Sequence, residues 1–144
     1  MAKRGSHMVY AWTFPTSLSF AVGYSLMING SVTWDTQDNA LILFAIGSAL
    51  QFAYPFLAAA SLNVLKQMQT KLAIALQALM VTVWSVGFSL TINGTVDRAH
   101  PQKFLLFVVG IVLMAISLVV YTAAIVVLND KGANAPATSM ASTV

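Results

Sequence analysis

Outside its first eight residues, the chain keeps its charges at the edges of four long apolar runs, roughly 14–34, 39–65, 71–96 and 102–128. Asp35 and Asp38 follow the first run. Lys66 and Lys71 flank the second connection, Asp97, Arg98 and Lys103 the third, and Asp130 and Lys131 close the fourth run. A helix needs about 20 predominantly apolar residues to cross the hydrocarbon of a bilayer, and each run reaches that length. Inside hydrocarbon every backbone polar group must be satisfied within its own element, which leaves helices for runs of this kind. The expected fold is all-α, an integral membrane four-helix bundle. Its connections, about four to six residues long, make consecutive helices antiparallel neighbours. Pro15 and Pro101 are expected in first helical turns, where a missing N–H costs nothing.

Composition agrees with this pattern. Of 144 residues, 58% are hydrophobic and 8% charged, against about 25% charged in an ordinary soluble domain. Cysteine and glutamate are both absent, so no thiolate metal site, thiol nucleophile or glutamate-based carboxylate pair exists. The stretch RGSHM at 4–8 reads as the remnant of a cleavable affinity tag, so residues 1–8 are set apart from the fold. Removing Lys3 and Arg4 lowers the formal net charge from +3 to +1, and no basic stripe is left to bind nucleic acid.

The chain also repeats itself. Residues 22–32 read VGYSLMINGSV and residues 86–96 read VGFSLTINGTV, with eight of eleven positions identical at a separation of 64. The repeat argues that the first run is a mature helix rather than a removable signal sequence, because the third run is its counterpart. It divides the chain into a first hairpin (9–66), a second hairpin (67–128) and a small polar tail (129–144) expected to be disordered. A unit that crosses a membrane twice returns to its starting side, so the two tandem hairpins are expected to be like-oriented. Aligned as FLAAASLNVLK (56–66) and YTAAIVVLNDK (121–131), their second helices share little. Lys66, Lys71 and Lys131 outweigh Arg98 and Lys103 by one cation, which places both termini in the cytoplasm of a plasma or inner membrane.

At 100° per residue, Gly23, Met27 and Gly30 share a helix face, and Ser25 and Asn29 lie roughly opposite. The second copy repeats this with Gly87, Thr91 and Gly94 against Ser89 and Asn93. Small residues let helix backbones approach closely in lipid, so Gly23, Gly30, Gly87 and Gly94, with Gly47 and Gly110, are the candidate helix-packing positions. Asn-Gly is expected to end each first helix, with the glycine unwinding its last turn. Pro55 removes a hydrogen bond to the Gln51 carbonyl and is expected to kink the second helix.

The candidate ligand-binding residues are Asn29, Asn93, Gln51, Tyr54 and Trp84, the amides and aromatics carried by apolar runs. Trp12 and Trp34 bracket the first run as an aromatic belt would, whereas Trp84 lies mid-run and is expected against a helix or a lipid-like ligand. His100 is expected to cap the fourth helix just before Pro101, and no metal site is expected. No Asp, Lys or Arg lies in the centre of any run, and proton relays and coupled pumps generally depend on such residues.

The layout of two apolar hairpins resembles that of the YiaA/YiaB inner-membrane family. The resemblance is carried by SFAVGYSLMING (19–30), SVGFSLTING (85–94), the Lys103-Phe104 start of the fourth run and its Asn129-Asp130 end. It implies a small multi-pass inner-membrane protein and no active site. The sequence is thus read as a non-enzymatic, cofactor-free assembly or accessory subunit. Its expected partners are the lipid bilayer and further copies of itself or other membrane subunits. The alternatives are a small oligomeric channel or carrier for a neutral or lipid-like ligand, and a pigment- or quinone-binding subunit.

Overall fold

The computed structural model describes the backbone of residues 2–65, 70–97 and 99–133, and the side chains of 10–63, 71–97 and 99–130. Four helices follow one another: α1 (Ala2–Val32), α2 (Ala40–Leu65), α3 (Thr70–Val96) and α4 (Lys103–Ala133). Three of them, α2, α3 and α4, carry segments long and apolar enough to cross a membrane, Ala40–Asn63, Lys71–Val96 and Lys103–Asp130. In α1, polar residues thin out the apolar ones, among them Thr13, Thr16, Ser17, Ser19, Ser25, Asn29 and Ser31. It falls outside that group for this reason.

Two helices overrun their expected ends. α1 starts at Ala2, so Pro15 lies inside it rather than in its first turn. There it leaves the Ala11 carbonyl without its usual partner. α4 continues to Ala133, past the expected start of the tail at 129. Residues 134–144, Lys66 and Arg98 lie outside those described, as does the tail expected to be disordered beyond Ala133. α2 is continuous through Pro55.

α1 packs along α2, and α3 along α4, with few contacts between the two pairs. Glycine makes both pairings possible. A Cβ on Gly23 would lie 2.8 Å from Leu50 Cβ and 2.9 Å from the Gly47 oxygen; one on Gly87 would lie 2.9 Å from Leu113 Cβ and 2.8 Å from the Gly110 oxygen. Gly30 meets the backbone of Ala40 and Phe44 as Gly94 meets that of Lys103 and Phe107. Each contact of the first pair recurs in the second, shifted by 64 on the first helix and by 63 on its partner. The connecting segments account for the difference, since 33–39 is one residue longer than 97–102.

That register corrects the sequence alignment of the second helices. Shifted by 63 rather than 65, Leu43, Phe44, Gly47 and Leu50 fall on Leu106, Phe107, Gly110 and Leu113. The match lies in the half of each helix that follows the connection, where the glycines meet. The half compared at sequence level is the divergent one.

The ends of α1 and α3 also differ from expectation. Both helices run on past Asn-Gly to Val32 and Val96, and no glycine among the described residues has a positive φ. Gly30 and Gly94 do not unwind a turn. Their missing side chains admit the neighbouring backbone instead.

Polar side chains share the interior with apolar ones, and large apolar side chains cover much of the outside. Thr16, Gln51, Ser61, Thr91 and Ser117 are fully buried. Phe14, Phe56, Val119 and Phe104 are at least 65% exposed, Phe104 reaching 77%. A water-soluble bundle does not expose so many large apolar side chains together.

Candidate functional site

The two hairpins meet through a small set of hydroxyl, amide and aromatic groups. At one end Ser31 Oγ and Thr95 Oγ1 lie 2.7 Å apart, and Thr95 also donates to the Thr91 carbonyl at 2.8 Å. Ser31 and Thr95 are the same position of the repeated phrase, so equivalent residues touch each other. This contact places the 33–39 and 97–102 segments at the same end of the bundle. Farther in, the Tyr24 hydroxyl donates to the Ile111 carbonyl at 3.0 Å. Towards the other end Ser61 Oγ and Tyr121 Oη lie 2.8 Å apart. Hydrogen bonds of this kind between helices in a membrane contribute about 0.6–2 kcal/mol each.

Gln51 occupies the centre. Its amide nitrogen donates to the Phe20 carbonyl at 2.7 Å, and its amide oxygen accepts from the Trp84 indole at 3.4 Å. The first bond locks α2 to α1, and the second, longer and weaker, reaches across to α3. Trp84 is 5% exposed and stacks on Phe88, with ring centroids 4.9 Å apart. Tyr54, one turn from Gln51, packs its ring edge-on against Phe20 and Tyr121. Its hydroxyl lies beside Ser117, which donates to the Met114 carbonyl at 2.7 Å. The Tyr54 hydroxyl itself makes no hydrogen bond among the described residues. Tyr54 and Ser117 are again equivalent positions in the 63-residue register.

The structure therefore brings Gln51, Tyr54 and Trp84 into one buried cluster. It leaves Asn29 and Asn93 elsewhere. Both asparagines are exposed, as are Ser25 and Ser89, on outer faces of α1 and α3. Within the repeated phrase, the exposed positions Val22, Ser25, Asn29 and Val32 are identical to Val86, Ser89, Asn93 and Val96. The three differences, Tyr24/Phe88, Met27/Thr91 and Ser31/Thr95, are all buried or half-buried.

Other sequence-level candidates take structural places. His100 Nδ1 accepts from the Gln102 N–H at 3.1 Å, just ahead of α4. Trp34 packs edge-on against Phe44, with centroids 5.5 Å apart, and Trp12 is exposed. Sequence reasoning missed Tyr24, Ser31, Thr95, Ser61 and Tyr121 as the groups that join the hairpins. The Ser31/Thr95 substitution in an otherwise repeated phrase was the available signal, since both residues carry a hydroxyl. The chain matches no protein-family model, no curated protein and no solved structure.

Proposed function

We propose that the chain is a small four-span membrane protein made of two like-oriented hairpins, and that it serves as an assembly or accessory subunit. It works by helix–helix contact with further copies of itself or with other membrane subunits. The observation that carries this reading is the exposure of Ser25, Asn29, Ser89 and Asn93 on the outer faces of α1 and α3. An amide facing hydrocarbon alone is unfavourable, and a neighbouring helix relieves it. Most polar groups of the interior, Gln51 above all, already have partners within the chain, the Ser48 and Tyr54 hydroxyls being exceptions. The outward amides are the ones left to act between molecules.

The test is the mass of the full chain in mild detergent. An oligomer or a defined complex is expected, together with conversion to the monomer when Asn29 and Asn93 are both replaced by leucine. The thermal unfolding midpoint should change little, because both side chains lie outside the core. A monomeric, partner-free parent protein would contradict the reading, as would unchanged assembly in the double variant.

A further inference from the structure

Between residues 22 and 32 the exposed side chains of α1 are Val22, Ser25, Asn29 and Val32 and no others; between 86 and 96 those of α3 are Val86, Ser89, Asn93 and Val96. The steps are three, four and three residues in both helices. Alternation of threes and fours is the spacing of a coiled-coil seam, which keeps one line of side chains turned to a partner helix. Beside the line stand Leu26 and Ile28 in α1 and Leu90 and Ile92 in α3, all half-buried. Line and flanks are identical in the two helices. The three substitutions within the phrase, at Tyr24, Met27 and Ser31, fall on the opposite side of the helix. We infer that α1 and α3 carry two equal docking seams for further copies of this chain, so that each copy binds two neighbours and the assembly grows past a dimer. The inference rests on the assembly reading above and names its partner.

The chemistry of the seam selects a second copy. An asparagine amide carries donors and an acceptor together, so the best complement to one such amide is another. In parallel helices a single seam asparagine faces its equivalent on the partner and fixes the register. A neighbouring copy supplies that equivalent at the right depth from either of its seams, because Ser31 and Thr95, two residues beyond the asparagines, meet at one end of the bundle. Within one chain the two seams do not serve each other, since both are exposed. An unrelated subunit would have to match the same surface twice. The number of neighbours follows from the repeat: a pair closed through one seam leaves the identical second seam open to lipid, with its amide unrelieved. Copies joined through both seams form a ring where the rotation closes and an open row where it does not.

Native mass spectrometry of the full chain in mild detergent should show species of more than two copies. Asn93→Leu alone spoils one seam of every copy, and species above two copies should be lost. The chain has no cysteine of its own, so the seams can also be tested by cross-linking in membranes. A protein with both Ser25→Cys and Ser89→Cys should give, on mild oxidation, a ladder running through three copies and beyond. Phe56→Cys with Val119→Cys, at equivalent sites of α2 and α4 that are both at least 65% exposed, reports random collision and should give no such ladder. All the substituted positions are exposed, so the fold should survive each change. A parent protein that stops at two copies, or that binds only a foreign subunit, would overturn the inference and leave the assembly reading standing. A partner-free monomer would overturn both. Equal ladders from the two cysteine proteins would overturn the inference, as would an Asn93→Leu protein that keeps the mass of the parent.

Discussion

Gly30→Val is expected to lower the stability of the protein by about 3 kcal/mol or more, at the upper end of what overpacking usually costs. The new Cβ alone would lie 2.6 Å from the Ala40 oxygen, with the Phe44 backbone nitrogen also in its way. These obstacles are backbone atoms, which cannot rotate aside as a side chain does. α1 and α2 must therefore separate, and separation sacrifices packing along the whole pair, since close approach is the chief attraction between helices in lipid. Gly94→Val should behave alike, its Cβ meeting the Lys103 oxygen at 2.6 Å. Ser25→Val, exposed on the same helix, serves as the control and should shift stability little. Unfolding by a graded sodium dodecyl sulfate titration, followed by circular dichroism, measures all three. A Gly30→Val protein within about 0.5 kcal/mol of the parent, the range of an ordinary surface change, would refute the close-packed pairing.

The second large effect concerns Gln51. Its replacement by leucine keeps the approximate volume but strands the Trp84 indole N–H, which is buried and bonded to the Gln51 oxygen. A buried donor left without a partner costs about 1–3 kcal/mol. The bond from Gln51 to the Phe20 carbonyl, at 2.7 Å the shorter of the two, is lost as well. Gln51→Leu should therefore destabilise by about 2 kcal/mol. Most of that loss should vanish when Trp84 is also replaced by phenylalanine, which removes the stranded donor. The double-mutant cycle reports the coupling directly. Additive losses would show that the two side chains do not act on each other, and Gln51 would then anchor α2 to α1 alone.

Much of the architecture was legible because it rests on periodicity. A 100° step puts Gly23, Met27 and Gly30 on one face and Ser25 and Asn29 on the other, and the structure has the first three buried and the last two exposed. The glycines of α2 and α4 were harder to use. Gly47 stands alone in α2 and Gly110 lies far from Gly132 in α4, and their equivalence emerges only when each is seen opposite Gly23 or Gly87. Asn-Gly misled for a related reason. Glycine after asparagine is an ordinary helix stop, yet here a neighbouring backbone occupies the space its side chain would take. Nor did the joint between the hairpins declare itself. Tyr24, Ser61 and Tyr121 look like scattered polar residues in apolar runs until Tyr24 is seen on the Ile111 carbonyl at 3.0 Å and Ser61 against Tyr121 at 2.8 Å. As for Gln51, its polarity drew attention to it, but its partners, a carbonyl and an indole on two other helices, carry no local sequence signal.

The internal repeat also says something about constraint. In a helical bundle, faces turned to lipid have fewer neighbours than those turned inward. Here all four exposed positions of the repeated phrase stayed the same, against four of its seven buried or half-buried ones. Packing inside the bundle tolerates Met27 opposite Gly47 in one hairpin and Thr91 opposite Gly110 in the other. The four exposed positions of the phrase on α1 and α3 show no such latitude, which fits surfaces that meet the same kind of neighbour twice.

The absence of cysteine makes the membrane topology directly measurable. Single cysteines placed at Thr36 and Ala99, both exposed and in the two connections at one end of the bundle, can be labelled in intact cells with a membrane-impermeant maleimide. Two like-oriented hairpins predict the same behaviour at both sites, with the two cysteines labelled together or protected together. Labelling at one site and protection at the other would put the connections on opposite sides of the bilayer and contradict the paired-hairpin architecture.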